Sequence, residues 1–180
     1  MLHPNAEGHT QTVMVTSARP TEGKTTQAAN IAWAFNSIGE KTLLIDADLR
    51  RGRIHELTQA NNASGMTTLL TGMHSPDQVI QRSSLDNLHV IPRGPVIPGS
   101  TEVLSQQFFE DLITHWALHY DRIVIDTPPV LGLSETTSIQ RVTDGILLIV
   151  RAEKTAQKDV EDAVDMLKKT GAHFFGFVLN

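Results

Sequence analysis

Short and almost wholly apolar runs recur along this chain, and they restrict its fold more than any other feature does. The runs occupy 12–17 (TVMVTS), 42–45 (TLLI), 87–91, 122–125 (RIVI), 145–150 (GILLIV) and 174–179. Apolar runs of this length are typical of strands that are buried on both faces of a parallel sheet. The chain is therefore predicted to build its core around such a sheet.

Amphipathic stretches fill the spaces between these runs. Apolar residues recur at helical spacing over 23–38, 102–119 and 155–169, and Gly39 is placed to end the first helix. Alternation of strands and helices predicts an α/β fold with a mainly parallel central sheet and helices on both faces. Residues 52–85 do not follow this alternation, and we expect short helices and loops there over one edge of the sheet.

Composition narrows the class of protein. The 180 residues are 40% hydrophobic and 19% charged, as in an ordinary single globular domain. The formal net charge of -5 gives no general attraction to nucleic acid, so no nucleic-acid partner is expected. The chain has no cysteine, which excludes disulfides, thiol catalysis and cysteine-ligated clusters within it. The absence of cysteine also fits a cytoplasmic protein, which is what we expect. No apolar run reaches the roughly 18 residues of a membrane helix.

The connection between the first predicted strand and the first predicted helix, residues 17–26, reads SARPTEGKTT. A Gly-Lys-Thr tripeptide between a strand and a helix is the setting of a phosphate-binding P-loop. Backbone N–H groups and the helix dipole favour phosphate there, Lys24 adds a positive charge, and Thr25 offers a hydroxyl to Mg²⁺. We predict binding of ATP or ADP with Mg²⁺. The predicted nucleotide-binding loop residues are Ala18, Pro20, Thr21, Glu22, Gly23, Lys24, Thr25 and Thr26.

Three aspartates lie at the carboxyl ends of two predicted strands. Asp46 and Asp48 follow the run TLLI, and Asp126 follows the run RIVI. Ligands of open α/β sheets bind at the carboxyl ends of the strands, so these acids are expected to converge on the P-loop. A buried carboxylate needs a partner, and Mg²⁺ beside a triphosphate is a suitable one.

In this order, the segments SARPTEGKTT, LLIDADLRR and IVIDTPPVL resemble those of the bacterial tyrosine kinases of capsule and exopolysaccharide systems. The resemblance covers nearly the whole chain, including DGILLIVR at 144–151 and GFVLN at 176–180. These kinases belong to the deviant P-loop ATPases, which include the MinD and ParA partitioning proteins. The resemblance implies a three-layer P-loop NTPase fold over 11–180, after a leader or boundary segment over 1–10. We expect this domain to continue past the last residue, Asn180.

The resemblance also implies roles for individual side chains. Lys24, Asp46 and Asp48 would form the catalytic group, with Lys24 on the phosphates and Asp46 near the incoming hydroxyl as a base or an orienting group. The metal residues would be Thr25, Asp48 and Asp126, with the last acting through water.

Residues at the rim of the site have implied roles as well. Thr26 would contact the α-phosphate region, and Asn180, at the end of the last predicted strand, would contact adenine. Arg50 and Arg51 stand where family members carry a basic pair, and they would face phosphate, a neighbouring subunit or solvent.

The implied function is that of an ATP-dependent protein-tyrosine kinase that regulates polysaccharide synthesis and export. The implied partners are further copies of the chain and a membrane-protein activator, which would hold the protein at the inner face of the membrane. Two alternatives remain open at this point. One is an ATPase switch like MinD or ParA, and the other is an ATP-binding pseudokinase that serves as a scaffold.

The sequence departs from the family pattern at several positions. Thr21 stands where the loop usually carries glycine, and Gly52 where the second motif usually continues with proline. Arg19 occupies the position of the signature lysine of the MinD-like switches. The family phosphorylates a tyrosine-rich tail, whereas the single tyrosine here, Tyr120, precedes a predicted buried strand.

Overall fold

The structure is a computed structural model that describes residues 11–100, 106–131, 139–169, 171 and 173–180. Its strands are β1 (Thr12–Ser17), β2 (Thr42–Asp46), β3 (Gln81–Arg82), β4 (Leu88–Ile91), β5 (Arg122–Asp126), β6 (Gly145–Val150) and β7 (Phe174–Leu179). Its helices are α1 (Lys24–Ser37), α2 (Ile54–Thr58), α3 (Met66–Leu70), α4 (Gln106–Ala117) and α5 (Gln157–Lys169), with a 3₁₀ turn at Pro76–Val79. Within these described ranges, none of the helices is long and apolar enough to cross a bilayer.

These strands form one sheet in the order β3-β4-β2-β5-β1-β6-β7. All neighbours run parallel except the short edge strand β3, which pairs antiparallel with β4. β1 therefore lies in the interior of the sheet between β5 and β6, and the loop that follows it opens at the carboxyl edge. Asp46 and Asp126 are register partners on β2 and β5, so the pairing itself brings two of the predicted acids side by side.

Alternate residues of the interior strands face two separate cores, as the two-residue period of a strand requires. Val13 and Val15 face the core under α1 and α2, whereas Met14 faces the core that contains Phe109 and Trp116 of α4. Ala163 and Leu167 of α5 complete that second core. The predicted three-layer α/β arrangement, with helices on both faces of a mainly parallel sheet, is confirmed.

The predicted element boundaries need small corrections. The first helix, predicted over 23–38, begins at Lys24 because Gly23 adopts a left-handed backbone at φ 91° and serves as the N-cap. It ends at Ser37, and Gly39 follows at φ 89° as predicted. The helices predicted over 102–119 and 155–169 are described as α4 and α5, and residues 102–105 lie outside the described part.

The expectation for residues 52–85 is confirmed, since α2, α3, the 3₁₀ turn and the edge strand β3 all fall within this segment. Asp46 and Asp126 are the last residues of their strands, which were predicted to end one residue earlier. The leader predicted over 1–10 lies outside the described residues.

Candidate active site

The P-loop joins the interior strand β1 to α1. Gly23 lies at φ 91°, a conformation that residues with a side chain adopt at a cost. A Cβ placed on Gly23 would also lie only 2.2 Å from the Nδ2 atom of Asn180. The glycine is therefore required by its backbone conformation and by the side chain that packs against it, in addition to the close approach of phosphate that the sequence suggested.

Thr21 has a left-handed backbone as well, at φ 65°. A β-branched side chain is strained in this region, whereas glycine enters it freely. The structure thus gives a physical reason for the glycine that the family usually carries at this position. The carbonyl of Thr21 accepts a hydrogen bond of 3.0 Å from the Nη1 atom of Arg151.

Lys24 lies among the three predicted aspartates. Its Nζ atom donates a hydrogen bond of 2.8 Å to Oδ2 of Asp48 and lies 3.8 Å from Oδ1 of Asp126. Burial lowers the pKa of Lys24, but the negative charges of Asp126 and Asp48 outweigh this effect and hold the pKa above its usual value. Lys24 is therefore a buried ammonium group. The other oxygen of Asp48, Oδ1, accepts the backbone N–H of Arg51 at 2.9 Å.

Asp46 and Asp126 are both fully buried. Oδ2 of Asp46 accepts the backbone N–H of Ile54 at 3.0 Å, but Oδ1 has no hydrogen-bond partner among the described residues. Neither oxygen of Asp126 has a hydrogen bond of ordinary geometry there, although Lys24 and the Thr25 hydroxyl lie near enough to lower its pKa. Burial outweighs both and raises the pKa of Asp126 to about 6.

The pKa of Asp46 is also raised, first by burial and then by the charge of Asp126 beside it. Gly52 packs directly on this carboxylate, since a Cβ on Gly52 would lie 1.9 Å from Oδ1 of Asp46. The family usually carries proline at this position. In this chain the Asp46 carboxyl occupies the space that a side chain at position 52 would need, so glycine is required there.

The predicted loop residues divide into two groups. Pro20, Thr21, Gly23, Lys24, Thr25 and Thr26 line an open cleft of about 920 Å³, together with Asp48. Ala18 is fully buried behind this surface. The Glu22 side chain is buried too, and it accepts hydrogen bonds from the Thr155 hydroxyl and the Arg19 backbone. Among the predicted loop residues, Glu22 and Ala18 therefore support the loop from behind.

Asn180 packs against the P-loop. Its Nδ2 donates to the carbonyl of Glu22 at 3.1 Å, and its Oδ1 accepts from Nε2 of Gln27 at 3.0 Å. These contacts place Asn180 against the P-loop and the first turns of α1. Its predicted contact with adenine stays a prediction.

Arginines line the cleft as well. Arg50 and Arg51, which the sequence analysis singled out, line it together with Arg53 and Arg93. The last two were missed, although Arg93 comes two residues after the carboxyl end of β4 and the rule that located the aspartates would have found it. The cleft therefore combines the P-loop with four arginines, of which Arg53 is paired with Glu56.

Two further residues lie away from this cleft. Arg19, at the position of the switch proteins' lysine, pairs with Asp159 of α5 at 2.8 Å. Tyr120 lies just before the amino end of β5, on the opposite edge of the sheet. It is buried, and its hydroxyl lies 2.7 Å from Nδ1 of His89. Burial raises the pKa of Tyr120 to about 12. Because Tyr120 is buried at the opposite end of the strands from Lys24, the single tyrosine of the chain is poorly placed to accept a phosphoryl group.

Known proteins share this architecture and these motifs. Residues 8–180 match the profile of the ParA family, described as NUBPL iron-transfer P-loop NTPase. The chain is 35% identical over 170 residues to the tyrosine-protein kinase YwqD of Bacillus subtilis (strain 168), covering 94% of this chain and 72% of that kinase.

Solved structures show the same similarity to tyrosine kinases and to P-loop ATPases. The kinase domain of Escherichia coli tyrosine kinase ETK superposes with a TM-score of 0.90 at 33% identity, over 95% of this chain and 67% of that one. MinD from Pyrococcus horikoshii OT3, complexed with Mg-ADP, superposes with a TM-score of 0.81 at 25% identity, over 96% and 72%. The chain therefore belongs to the bacterial tyrosine-protein kinases, within the ParA-like P-loop NTPases, and is a nucleotide-binding, ATP-dependent phosphotransferase.

Proposed function

We propose that this chain transfers the γ-phosphoryl group of ATP to a tyrosine hydroxyl, in a polysaccharide synthesis and export system of the kind its motifs resemble. The observation that carries the proposal is the group of buried acids around Lys24 at the end of the P-loop. Nζ of Lys24 lies 2.8 Å from Asp48 and 3.8 Å from Asp126. The phosphates of ATP can replace these carboxylates as partners of the ammonium group.

The same group fits Mg²⁺. Oδ1 of Asp46 and both oxygens of Asp126 are buried without ordinary hydrogen bonds among the described residues, and unpaired buried carboxylate oxygens are costly. Mg²⁺ prefers such oxygen ligands and retains several waters. We propose that Thr25, Asp48 and Asp126 hold this ion, which when bound would neutralise charge on the phosphates.

The side chains then have separate tasks. Lys24 and the backbone N–H groups of the loop bind and orient the phosphates, which is the main source of rate in phosphoryl transfer. Asp48 accepts a hydrogen bond from Nζ of Lys24 and holds the ammonium group in the site. Asp46 accepts the proton of the attacking tyrosine, whose ordinary pKa is about 10. Its raised pKa suits this task, because a carboxyl of ordinary acidity accepts a proton less readily.

The phosphoryl acceptor is proposed to be a tyrosine outside the described fold, in another molecule or another segment. Tyr120 does not fit, since it is buried at the opposite edge of the sheet from Lys24. An accessible tyrosine would instead enter the cleft from the side of Arg51 and Arg93. A homo-oligomer and a membrane-protein activator at the inner face of the membrane remain our proposed partners.

A nucleotide-driven switch is the second candidate, and the similarity to MinD favours it. In such a protein, ATP hydrolysis would change partner binding and no phosphotyrosine would form. Arg19 gives this candidate little support, because its guanidinium is paired with Asp159 on the outside of the loop.

Substitution of Lys24 tests the site. We expect Lys24→Ala to abolish binding of Mg-ATP in titration calorimetry and to abolish phosphotyrosine formation on a tyrosine-containing peptide. Lys41→Ala is the matched control, because Lys41 lies over the ring of Tyr120 at the other edge of the sheet. Unchanged ATP affinity in folded Lys24→Ala protein would refute the site, and ATP hydrolysis without phosphotyrosine would favour the switch.

A further inference from the structure

The outer side of the P-loop, away from the cleft, is held by the connection between β6 and α5. We call the side chains of Arg151 and Thr155 in this connection the loop clamp. The backbone N–H of Arg151 donates to the Thr155 hydroxyl oxygen at 2.9 Å, which fixes the position of that hydroxyl. Both side chains then reach across to residues of the P-loop.

Thr155 acts on Glu22. Its hydroxyl donates a hydrogen bond of 2.5 Å to Oε1 of Glu22, and Oε2 of the same carboxylate accepts the backbone N–H of Arg19 at 2.9 Å. Glu22 is only 5% exposed, so water competes little for these bonds. Glu22 thus ties the start of the loop to its end and anchors both to the clamp.

Arg151 acts one residue earlier, on Thr21. Its Nη1 atom donates to the Thr21 carbonyl at 3.0 Å. Thr21 is the residue whose β-branched side chain is strained at φ 65°. Such strain persists only where the surroundings determine the backbone strongly. The clamp supplies that determination, because it holds the Thr21 carbonyl directly and holds the neighbouring Glu22 by its side chain.

We propose that Arg151 and Thr155 are positioning residues that keep the P-loop in its phosphate-binding conformation, and that this chain depends on them because a threonine occupies the left-handed position 21. Neither side chain lines the cleft, and both act through the loop. The inference rests on the proposed nucleotide site. It also predicts that glycine at position 21 would make the clamp largely dispensable, since glycine adopts this backbone without strain.

A double-mutant cycle on the full chain tests the proposal, with Mg-ADP affinity measured by titration calorimetry. We expect Thr155→Val to weaken Mg-ADP binding about fivefold, because it removes the hydroxyl that donates to Glu22 and accepts the backbone N–H of Arg151. In a Thr21→Gly background the same substitution is expected to cost less than about twofold, because coupled sites are non-additive. Thr155→Ser retains the hydroxyl and is expected to bind as the parent does.

Thr143→Val is the matched control. It makes the same chemical change, and the Thr143 hydroxyl bonds to the Gln140 carbonyl at 2.9 Å near the amino end of β6, far from the loop. Arg151→Met is a second probe, because it removes the guanidinium that donates to the Thr21 carbonyl and keeps an unbranched side chain. The same dependence on position 21 is expected for it. Folding of each variant is checked by thermal unfolding without nucleotide.

The outcomes are distinct. An equal loss of affinity in the parent and Thr21→Gly backgrounds, or no loss with Thr155→Val, overturns the clamp while the site itself stands if Lys24→Ala abolishes binding. If Lys24→Ala retains affinity, the proposed nucleotide site fails and the clamp fails with it. A loss confined to the parent background, with threonine at position 21, supports the proposal.

Discussion

Acidic side chains lie both where the strands of the central sheet begin, the amino edge, and where they end, the carboxyl edge. The acids at these two edges have different surroundings. At the amino edge, Oδ2 of Asp144 accepts two backbone N–H groups, from Gln11 and Thr12, each at 2.7 Å. Oδ2 of Asp121 accepts the backbone N–H of Lys41 at 2.7 Å. These carboxylates join the starts of neighbouring strands and are satisfied by the fold itself.

At the carboxyl edge the acids are more buried and less satisfied. Asp46 and Asp126 lie side by side with unpaired oxygens within the described chain, and Lys24 is the ammonium group that lies among them. Folding alone does not favour such an arrangement, because each unpaired charge raises the free energy of the native state. The carboxylates that accept backbone N–H groups therefore stabilise the fold by connecting neighbouring strands. The carboxylates with unpaired oxygens indicate where a ligand binds.

The largest expected difference between the edges is in catalysis. We expect Asp46→Asn to slow phosphotyrosine formation about 100-fold or more, because the proton acceptor is lost. Mg-ADP affinity in calorimetry should change little. Asp121→Asn at the amino edge is the control and should leave the rate unchanged. Full activity in the Asp46 variant would remove this residue from the mechanism.

The second difference is in stability. Removing an acid should raise the free energy of unfolding at the carboxyl edge and lower it at the amino edge. Asp126→Asn removes a buried, poorly compensated charge and should raise the free energy of unfolding without nucleotide by about 1–3 kcal/mol at pH 8. Asp144→Ala removes the acceptor of two backbone N–H groups and should lower it by about 1–3 kcal/mol. Urea unfolding measures both.

A fall in stability for both variants would show that Asp126 is a structural residue and would break the comparison. Mg-ADP protection adds a second reading of the same pair. We expect the nucleotide to stabilise Asp144→Ala as it does the parent, and to stabilise Asp126→Asn less, because one metal residue is lost.

The third expected difference is in the pH dependence of stability. Because the pKa of Asp126 is raised from 3.8 to about 6, the native state binds a proton that the unfolded state releases. This contribution to stability is complete below about pH 4 and is lost as the pH rises through about 6. The thermal midpoint without nucleotide should therefore fall over this range, and the fall should be smaller in Asp126→Asn. An identical pH profile in the two proteins would contradict the raised pKa.

Much of this site could be predicted from the sequence because its chemistry lies in local patterns. A P-loop is one strand–loop–helix unit. The run TLLI followed by Asp46 predicts both a buried strand and an acid at its end. The convergence of Asp46 and Asp126 followed from one rule about parallel sheets, and the register between β2 and β5 confirms it.

Other features depended on residues far apart in the chain. The packing of Asn180 on Gly23, the contact of Glu22 with Thr155 and the pairing of Lys24 with Asp48 each join separate elements. No spacing in the sequence encodes these contacts, because they depend on which strands and helices lie next to one another in the folded sheet.

The sequence by itself determined the fold class and the phosphate loop, because apolar periodicity and short motifs report on local backbone and chemistry. The reaction class came from the resemblance of three segments to the bacterial tyrosine kinases. Only the tertiary structure decided which loop residues line the cleft and which lie buried behind it. Glu22 and Thr21 illustrate the difference, since one is turned away to Thr155 and the other is held at φ 65°. Both outcomes depend on long-range packing, which sets side-chain direction and backbone strain in ways that residue order alone does not.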